Sequence, residues 1–201
     1  MAFRRPPRSA GNTDNHDGDA FAQAALSHID SLYGTALRLT RRAADADDLV
    51  QDTYLKAFRA AHQFEPGTNL KAWLFTILHN TFRNARRHDG RNPVDIDSEA
   101  VERAVGDGAS EQSPEQILTR ATLDVDLQAA LDALAPAFRQ AVWLRDVEEL
   151  TYAEMAQVLG VPIGTVMSRI SRGRRALYRE LQARRTASEE QQKMGMAAKH
   201  G

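Results

Sequence analysis

Apolar residues recur at three- and four-residue steps along most of the chain, the spacing that places them on one face of an α-helix. From Phe21 to Leu37 they predict a first helix. A second helix is predicted from about Asp45, with Asp47 and Asp48 in its first turn, where the helix dipole favours carboxylates. No segment shows the apolar–polar alternation of a strand. The pattern therefore predicts an all-α protein.

Turn-forming residues separate the predicted helices. Gln63–Gly67 contains adjacent Pro and Gly residues, which end helices. Thr68 or Asn69 is placed to cap a third helix that runs to about His88. Further along, Pro136 suits the first position of another helix.

Composition divides the chain into two small helical domains, predicted at residues 19–91 and 121–185. The ends, 1–18 and 186–201, are polar and lack apolar periodicity, which predicts disordered tails. Residues 92–120 are predicted to form a flexible acidic linker. The acidic linker allows locally basic domains within a chain whose formal net charge is −1.

Composition also excludes several classes of function. The chain has no cysteine, which excludes disulfides, thiolate metal sites and cysteine nucleophiles. No apolar run approaches the roughly 20 residues of a membrane span, and no apolar signal core follows the first residues. We therefore expect a cytoplasmic protein without membrane contact, and the sequence indicates no metal, cofactor or catalytic residue.

The segment Thr151–Arg175 predicts a helix-turn-helix. Thr151 and Glu154 have the spacing of a capping box. Gly160 lies where the turn requires a left-handed residue, and Val166 is apolar where the second helix packs on the first. The second helix projects serine and arginine side chains, which bind phosphates and guanine edges in a major groove. An individual arginine could equally contact phosphate alone, and a basic solvated helix end is the alternative interpretation of this face.

The helix from Asn69 to His88 carries a second stripe beside its apolar one. Basic and aromatic residues alternate along it, which is typical of single-strand binding because charges follow phosphates while rings stack on bases. Asn80 and Asn84 add amide groups that can read base edges. The pattern leaves open that the aromatic residues form a second packing surface. The stripe consists of Lys71, Phe75, His79, Phe82, Arg83 and Arg86.

Three segments, Asp45–Phe58, Asn69–Asn80 and Pro162–Arg169, resemble the extracytoplasmic-function sigma factors, the two-domain members of the sigma-70 family. The resemblance covers about residues 26–91 and 123–184. It implies that the first domain is sigma region 2 and the second is region 4. It further implies a subunit that directs RNA polymerase core to promoters, with an anti-sigma factor as a second partner, and it looks most like the stress-responsive subgroup held by zinc-containing anti-sigma factors.

The resemblance also implies which residues bind the polymerase. The helix after Asp45 would dock on the clamp helices of the beta-prime subunit, and region 4 would contact the beta flap. The residues implied for core binding are Asp48, Leu49, Val50, Gln51, Asp52, Tyr54 and Lys56.

Two DNA sites are implied in the same way. The Phe64–Asn69 loop would capture a flipped base of the −10 element, and the helix after it would bind and help to melt that element. The −10 contacts implied are Phe64, Asn69, Lys71, Phe75, Asn80, Arg83, Asn84 and Arg87. The helix-turn-helix would read the −35 element through Thr165, Ser168, Arg169, Ser171, Arg172, Arg174 and Arg175.

Two other functions compete with a sigma factor. A stand-alone helix-turn-helix regulator would account for the second domain, but the first domain lacks the strand–helix alternation of a receiver. An enzyme acting on DNA would need a carboxylate cluster, a phosphate-binding glycine loop or a nucleophile motif, and none is recognisable. Binding to core polymerase separates the first interpretation from both alternatives.

Overall fold

The computed structural model describes residues 13–88 and 125–197, with side chains at 18–87 and 125–187. The linker predicted at 92–120 lies outside the described residues. All the described elements are helical, which confirms the all-α prediction. The first domain contains α1 (Thr13–Leu26), α2 (Ile29–Thr40), α3 (Ala43–Arg59), a short 3-10 helix (Ala61–Gln63) and α4 (Leu70–His88). The second contains α5 (Val125–Asp132), α6 (Pro136–Asp146), α7 (Tyr152–Leu159) and α8 (Ile163–Ala197).

Local capping signals define the ends of several helices. The side-chain oxygen of Asn69 accepts a hydrogen bond from the Ala72 backbone N–H at 3.2 Å, which caps α4 as predicted. At α7, the Thr151 hydroxyl accepts from the Glu154 N–H at 3.3 Å, and the Glu154 carboxylate accepts from the Thr151 N–H at 2.7 Å. This is the predicted capping box. Gly160 ends α7 with φ of 69°, the left-handed conformation that the turn requires.

The apolar periodicity predicted one helix where the structure has two. Between α1 and α2 the chain turns at Ser27 and His28, and the His28 N–H bonds to the Ala25 carbonyl at 3.1 Å. The Ser27 hydroxyl also bonds to the Ala24 carbonyl at 2.7 Å. Serine competes for backbone groups in this way and favours helix ends. The apolar spacing continues across the turn, so periodicity alone did not reveal it.

Both terminal helices extend into segments that were predicted to be disordered tails. The first helix begins at Thr13 rather than near residue 19, and α8 continues to Ala197 rather than ending near residue 185. Low hydrophobicity indicated disorder, but residues 186–197 contain no proline and are rich in Ala, Glu, Gln, Lys and Met. These residues have high helix propensity, and they continue a helix that packing has already nucleated.

One apolar core joins the two domains. It includes Leu74 and Leu78 of α4 together with Leu150, Met155 and Val158 of the second domain, all of them fully buried. Helix α4 therefore packs directly against α7. The domains are closed on each other in this structure, and this arrangement determines which functional side chains reach solvent.

A close helix crossing positions α8 within the second domain. A Cβ atom at Gly173 would lie 2.7 Å from Val142 Cγ2 and 3.1 Å from the Phe138 carbonyl oxygen. Only glycine permits this approach of α8 to α6 without displacing one of them. Val166 and Ile170 are buried on the same side of α8, so the opposite side carries the polar residues.

Candidate nucleic-acid interface

The outer face of α8 carries the residues predicted to contact the −35 element. Ser171, Arg172 and Arg175 are exposed, whereas Thr165, Ser168 and Arg169 are partly exposed. The Ser168 hydroxyl donates to the Thr165 carbonyl at 2.9 Å, which orients it along the helix. The structure thus brings these residues together on one helix, over about three turns.

Arg174 of α8 is bound within the second domain. Its guanidinium forms a two-point contact with the Asp146 carboxylate of α6, with Nε 3.0 Å from Oδ2 and Nη2 on Oδ1. The hydrogen bonds that Arg174 donates to the Asp146 carboxylate raise the pKa of Arg174. In this arrangement the half-exposed Arg174 side chain connects α8 to α6.

On α4, three of the predicted −10 residues are accessible. Asn80, Asn84 and Arg87 lie on the outer side of the helix, each three or four residues from the next. The Asn80 Oδ1 atom accepts a hydrogen bond from Arg83 Nη2 at 2.5 Å, which leaves the Asn80 amide nitrogen available.

Three other predicted −10 residues bind polar groups of the second domain. Lys71 Nζ lies 2.7 Å from the Glu148 carboxylate. Asn69 Nδ2 donates to the Glu154 carboxylate at 2.8 Å, and Arg83 Nη1 donates to the Leu159 carbonyl at 2.8 Å. The second domain therefore supplies oxygen acceptors to the same side chains that are expected to bind DNA phosphates and bases.

Glu148 is the most deeply buried of these acceptors, with 4% of its surface exposed. Besides Lys71, it accepts a hydrogen bond from Trp143 Nε1 at 3.0 Å. The same indole N–H lies 3.1 Å from the hydroxyl of Thr35 in α2. A buried carboxylate is stable only when charge and hydrogen bonds satisfy it, so this network couples Glu148 to closure of the domains.

Glu154 has a second role besides the capping box. Burial acts to raise its pKa, but hydrogen bonds from Thr151 and Asn69 lower it, and the net pKa is below the usual glutamate value. The carboxylate is therefore ionised near neutral pH and interacts with α4 as an anion.

The aromatic members of the α4 stripe are buried in the closed arrangement. Phe75 has no exposed surface and Phe82 has 6%, so they form the second packing surface that the sequence left open. His79 lies between them in sequence, with its Nδ1 atom 3.2 Å from Gln140 Nε2 of α6. Burial, followed by the Arg83 charge, lowers the pKa of His79 to about 3.

The helix predicted to bind polymerase, α3, has an inner and an outer face. Leu49, Val50 and Tyr54 are buried, and the Tyr54 hydroxyl donates to the Ala25 carbonyl at 2.9 Å. Burial, then Asp30, raises the pKa of Tyr54 to about 12. Lys56 is exposed and its Nζ donates to Thr81 Oγ1 at 3.0 Å.

The outer face of α3 contains Asp48, Gln51 and Asp52, which are exposed as a docking surface requires. Two apolar residues that were not predicted extend this face, Leu55 with 53% and Phe58 with 40% of their surface exposed. Counting positions by 3.6 residues per turn from Asp48 would have identified Leu55.

A cavity of about 310 Å³ lies between the domains. Its walls are Leu39 and Phe82 of the first domain and Pro136, Trp143 and Leu144 of the second. Four guanidinium groups also line it, whereas none of the described residues in its wall is an aspartate or glutamate. The four belong to Arg38, Arg41, Arg86 and Arg139. The cavity therefore combines apolar walls with positive charge.

Two classes of site are not found in the described parts of the chain. At 13–88 and 125–197, no three acidic or histidine residues come together as metal ligands. Among the same residues, no helix is long and apolar enough to cross a membrane.

Comparison with known proteins also divides the chain into two parts, one for each helical domain. The family model described as Sigma-70 region 2 matches residues 25–92, and the model described as Sigma-70, region 4 matches residues 124–177. The ECF RNA polymerase sigma factor SigE of Mycolicibacterium smegmatis is 43% identical over 150 residues, which are 75% of this chain and 57% of that protein. The RNA polymerase sigma-H factor of Pseudomonas aeruginosa is 34% identical over 170 residues, covering 83% of this chain and 88% of that protein.

Two solved structures are similar in fold. The sigma factor RpoE in complex with the anti-sigma factor NepR, from Bartonella quintana, has a TM-score of 0.59 and 35% identity over 81% of this chain and 97% of that chain. CnrH in complex with the cytosolic domain of CnrY has a TM-score of 0.55 and 26% identity over 87% of this chain and 92% of that chain.

Proposed function

The chain belongs to the extracytoplasmic-function sigma factors of the sigma-70 family, and from that membership we propose which of its surfaces binds each partner in promoter-specific initiation. Sigma factors are transcription initiation factors rather than classical enzymes. The observation that carries the proposal is that one chain presents two separate basic helices, α4 and α8, in domains that match regions 2 and 4. A stand-alone regulator would need only the second.

For core polymerase, we propose docking through the outer face of α3 onto the beta-prime clamp helices. Asp48, Gln51 and Asp52 supply polar contacts, and Leu55 supplies the apolar anchor beside them. The buried residues Leu49, Val50 and Tyr54 contribute indirectly, because they fix the position of α3 in the domain. The second domain contacts the beta flap. The complex forms in the cytoplasm, where polymerase and promoter DNA are found.

Replacing Leu55 tests this docking surface. Leu55→Asp is expected to abolish binding to core polymerase, because a buried interface would have to desolvate an unpaired carboxylate. The melting temperature should change little, since the side chain is already half exposed. Leu26→Asp, at a similarly exposed residue of α1 (46%), is the matched control. Equal core affinity of the two variants would contradict the assignment.

For the −10 element, we propose that Asn80, Asn84 and Arg87 begin recognition and that Asn69, Lys71, Phe75 and Arg83 join after the domains separate. The contacts of Lys71 with Glu148 and of Arg83 with Leu159 have to break first. In this view closure and −10 binding exclude each other, because the same donors serve both.

For the −35 element, we propose reading by Thr165, Ser168, Arg169, Ser171 and Arg172, with Arg175 on phosphate. Arg174 orients the helix through Asp146. Arg169→Ala should cost about 1–3 kcal/mol at one base position if the contact is bidentate. If Arg169 contacts phosphate, its loss would instead weaken binding to all sequences equally and would reduce the slope of log affinity against log salt concentration by about one. Binding curves on −35 duplexes at several salt concentrations distinguish these outcomes.

We also propose an anti-sigma partner that binds between the domains. One structural relative, the sigma factor RpoE, was solved with the anti-sigma factor NepR. The cavity supports an acidic amphipathic segment as the occupant, because its apolar walls accept one face and its arginine side chains, of which Arg139 already pairs with Asp132, attract carboxylates. A photo-crosslinker at Gln140, inside the cavity, should capture such a partner in the native host. The same group at exposed Arg59 should not, and equal capture at both positions would refute this binding site.

A further inference from the structure

The loop between α3 and α4, residues 64–69, has its own internal structure. The Thr68 hydroxyl donates to the Glu65 carbonyl at 2.7 Å, and the Thr68 N–H donates to the same oxygen at 3.2 Å. Gly67 has φ of 91°, a conformation that favours glycine. Residues 65–69 are exposed. The loop is therefore a preformed turn that extends into solvent.

The side chain that attaches this turn to the domain is Phe64. It is half-buried, and its ring lies 5.6 Å from the Trp73 ring of α4 and 5.8 Å from the Phe21 ring of α1, measured between centroids. Two aromatic walls from different helices thus hold Phe64. Its orientation determines where the exposed turn points.

Phe21 is the centre of this aromatic cluster. Its ring also lies 6.1 Å from Trp73 and 6.5 Å from Phe58, both in edge-on arrangements. It therefore contacts α3, the loop and α4 at once. Phe21 also precedes residues 25–92, the part of the chain that the region 2 family model matches.

We propose that Phe21 is a positioning residue for −10 recognition, which holds the Phe64–Asn69 turn in the orientation that receives an unstacked base. The proposal rests on the −10 recognition proposed above and on the base capture that the resemblance to sigma factors implies for the Phe64–Asn69 loop. Phe21 does not touch DNA; it fixes the Phe64 ring between itself and Trp73. Through this contact α1 contributes to promoter specificity.

The test uses holoenzyme formed from core polymerase and the full chain. The probe is a fluorescent single-stranded −10 oligonucleotide, with the captured base intact or replaced by an abasic site. Phe21→Ala should lower affinity for the intact strand roughly three- to tenfold, the range of one or two aromatic contacts. Affinity for the abasic strand should stay unchanged, so discrimination between the two probes falls. Phe21→Tyr keeps the aromatic ring and should retain the discrimination between the two probes.

Leu26→Ala, in the same helix and exposed, is the matched control. Affinities for core polymerase and for a −35 duplex should be equal in wild type, Phe21→Ala and Leu26→Ala. If Phe21→Ala weakens all of these interactions alike, its role is only structural and the proposal is overturned. If Phe64→Ala loses discrimination but Phe21→Ala does not, the loop function stands and the positioning role fails. If neither variant loses it, the loop function itself is refuted.

Discussion

Replacing Glu148 by glutamine removes one charge from the contact between the domains and preserves its shape. The amide oxygen of the introduced glutamine would still accept the hydrogen bond from Trp143 Nε1, so the second domain itself keeps its packing. Lys71, however, would lose its carboxylate partner at 2.7 Å. The lysine has 23% side-chain exposure in the closed arrangement and would be left there as an unpaired charge.

The magnitude follows from this burial. Removing one partner of a buried ion pair costs about 3–5 kcal/mol, because the remaining charge is desolvated without compensation. Lys71 keeps partial exposure and a 3.1 Å hydrogen bond to the Glu148 carbonyl, so the lower end of the range applies. A cost of about 3 kcal/mol shifts the ratio of closed to open protein by roughly 100-fold.

The absence of cysteine makes the assay simple, because two introduced cysteines are the only labelling sites. Dyes at Arg59→Cys in α3 and Tyr178→Cys in α8 report the distance between the domains, and both positions are exposed. Single-molecule energy transfer should show a new low-efficiency population in Glu148→Gln. Adding Lys71→Met should recover part of the closed population, since it removes the unpaired charge of the lysine.

Glu149→Gln is the control, because this neighbouring glutamate is exposed and the exchange removes the same charge. Identical distance distributions in Glu148→Gln and Glu149→Gln would contradict a role of the Lys71–Glu148 pair in closure. This role would also be refuted if Glu148→Gln melted the second domain, with loss of helical circular dichroism, while the domains stayed together.

Two further predictions concern stability. Gly160→Ala should destabilise the protein by about 1–2 kcal/mol in thermal unfolding, because alanine is strained at φ of 69° and its Cβ would lie 2.7 Å from Arg83 Nη1. Gly164→Ala is the control and should cause no loss of stability, because the space around its Cβ is open. Because the pKa of His79 is about 3 when folded and about 6.5 when unfolded, the unfolded chain binds the proton first and stability falls as pH falls below about 6.5. The urea unfolding free energy should drop by about 1.4 kcal/mol more in wild type than in His79→Leu between roughly pH 7.5 and pH 5.5, and equal drops would contradict the burial argument.

Features encoded by neighbouring residues were predictable from the sequence. The capping box of Thr151 and Glu154, the left-handed Gly160 and the Asn69 cap each depend on residues within one turn, and the structure confirms them. The all-α class followed from periodicity in the same way. These signals are local because a helix end is satisfied by side chains close to it in sequence.

The contacts between the domains were not predictable in this way. Lys71 and Glu148 are 77 residues apart, and nothing near either one indicates the other. The spacing of Phe75 along α4 fits a stacking surface or a core equally well, and only the tertiary packing shows that the ring is buried. The exposure of Leu55 was predictable locally, because its spacing from Asp48 and Asp52 places it on the outer face of α3.

Transcription in vitro tests the central claim most directly. Bacterial core polymerase would be given fragmented genomic DNA of the source organism with and without this protein, and RNA 5′ ends would be sequenced. We expect new, discrete start sites that share a spaced −35 and −10 pair, lost with Arg169→Ala at the first element and Asn80→Ala at the second. Unchanged start sites, together with absent binding to core polymerase, would contradict the central claim and favour a stand-alone DNA-binding regulator.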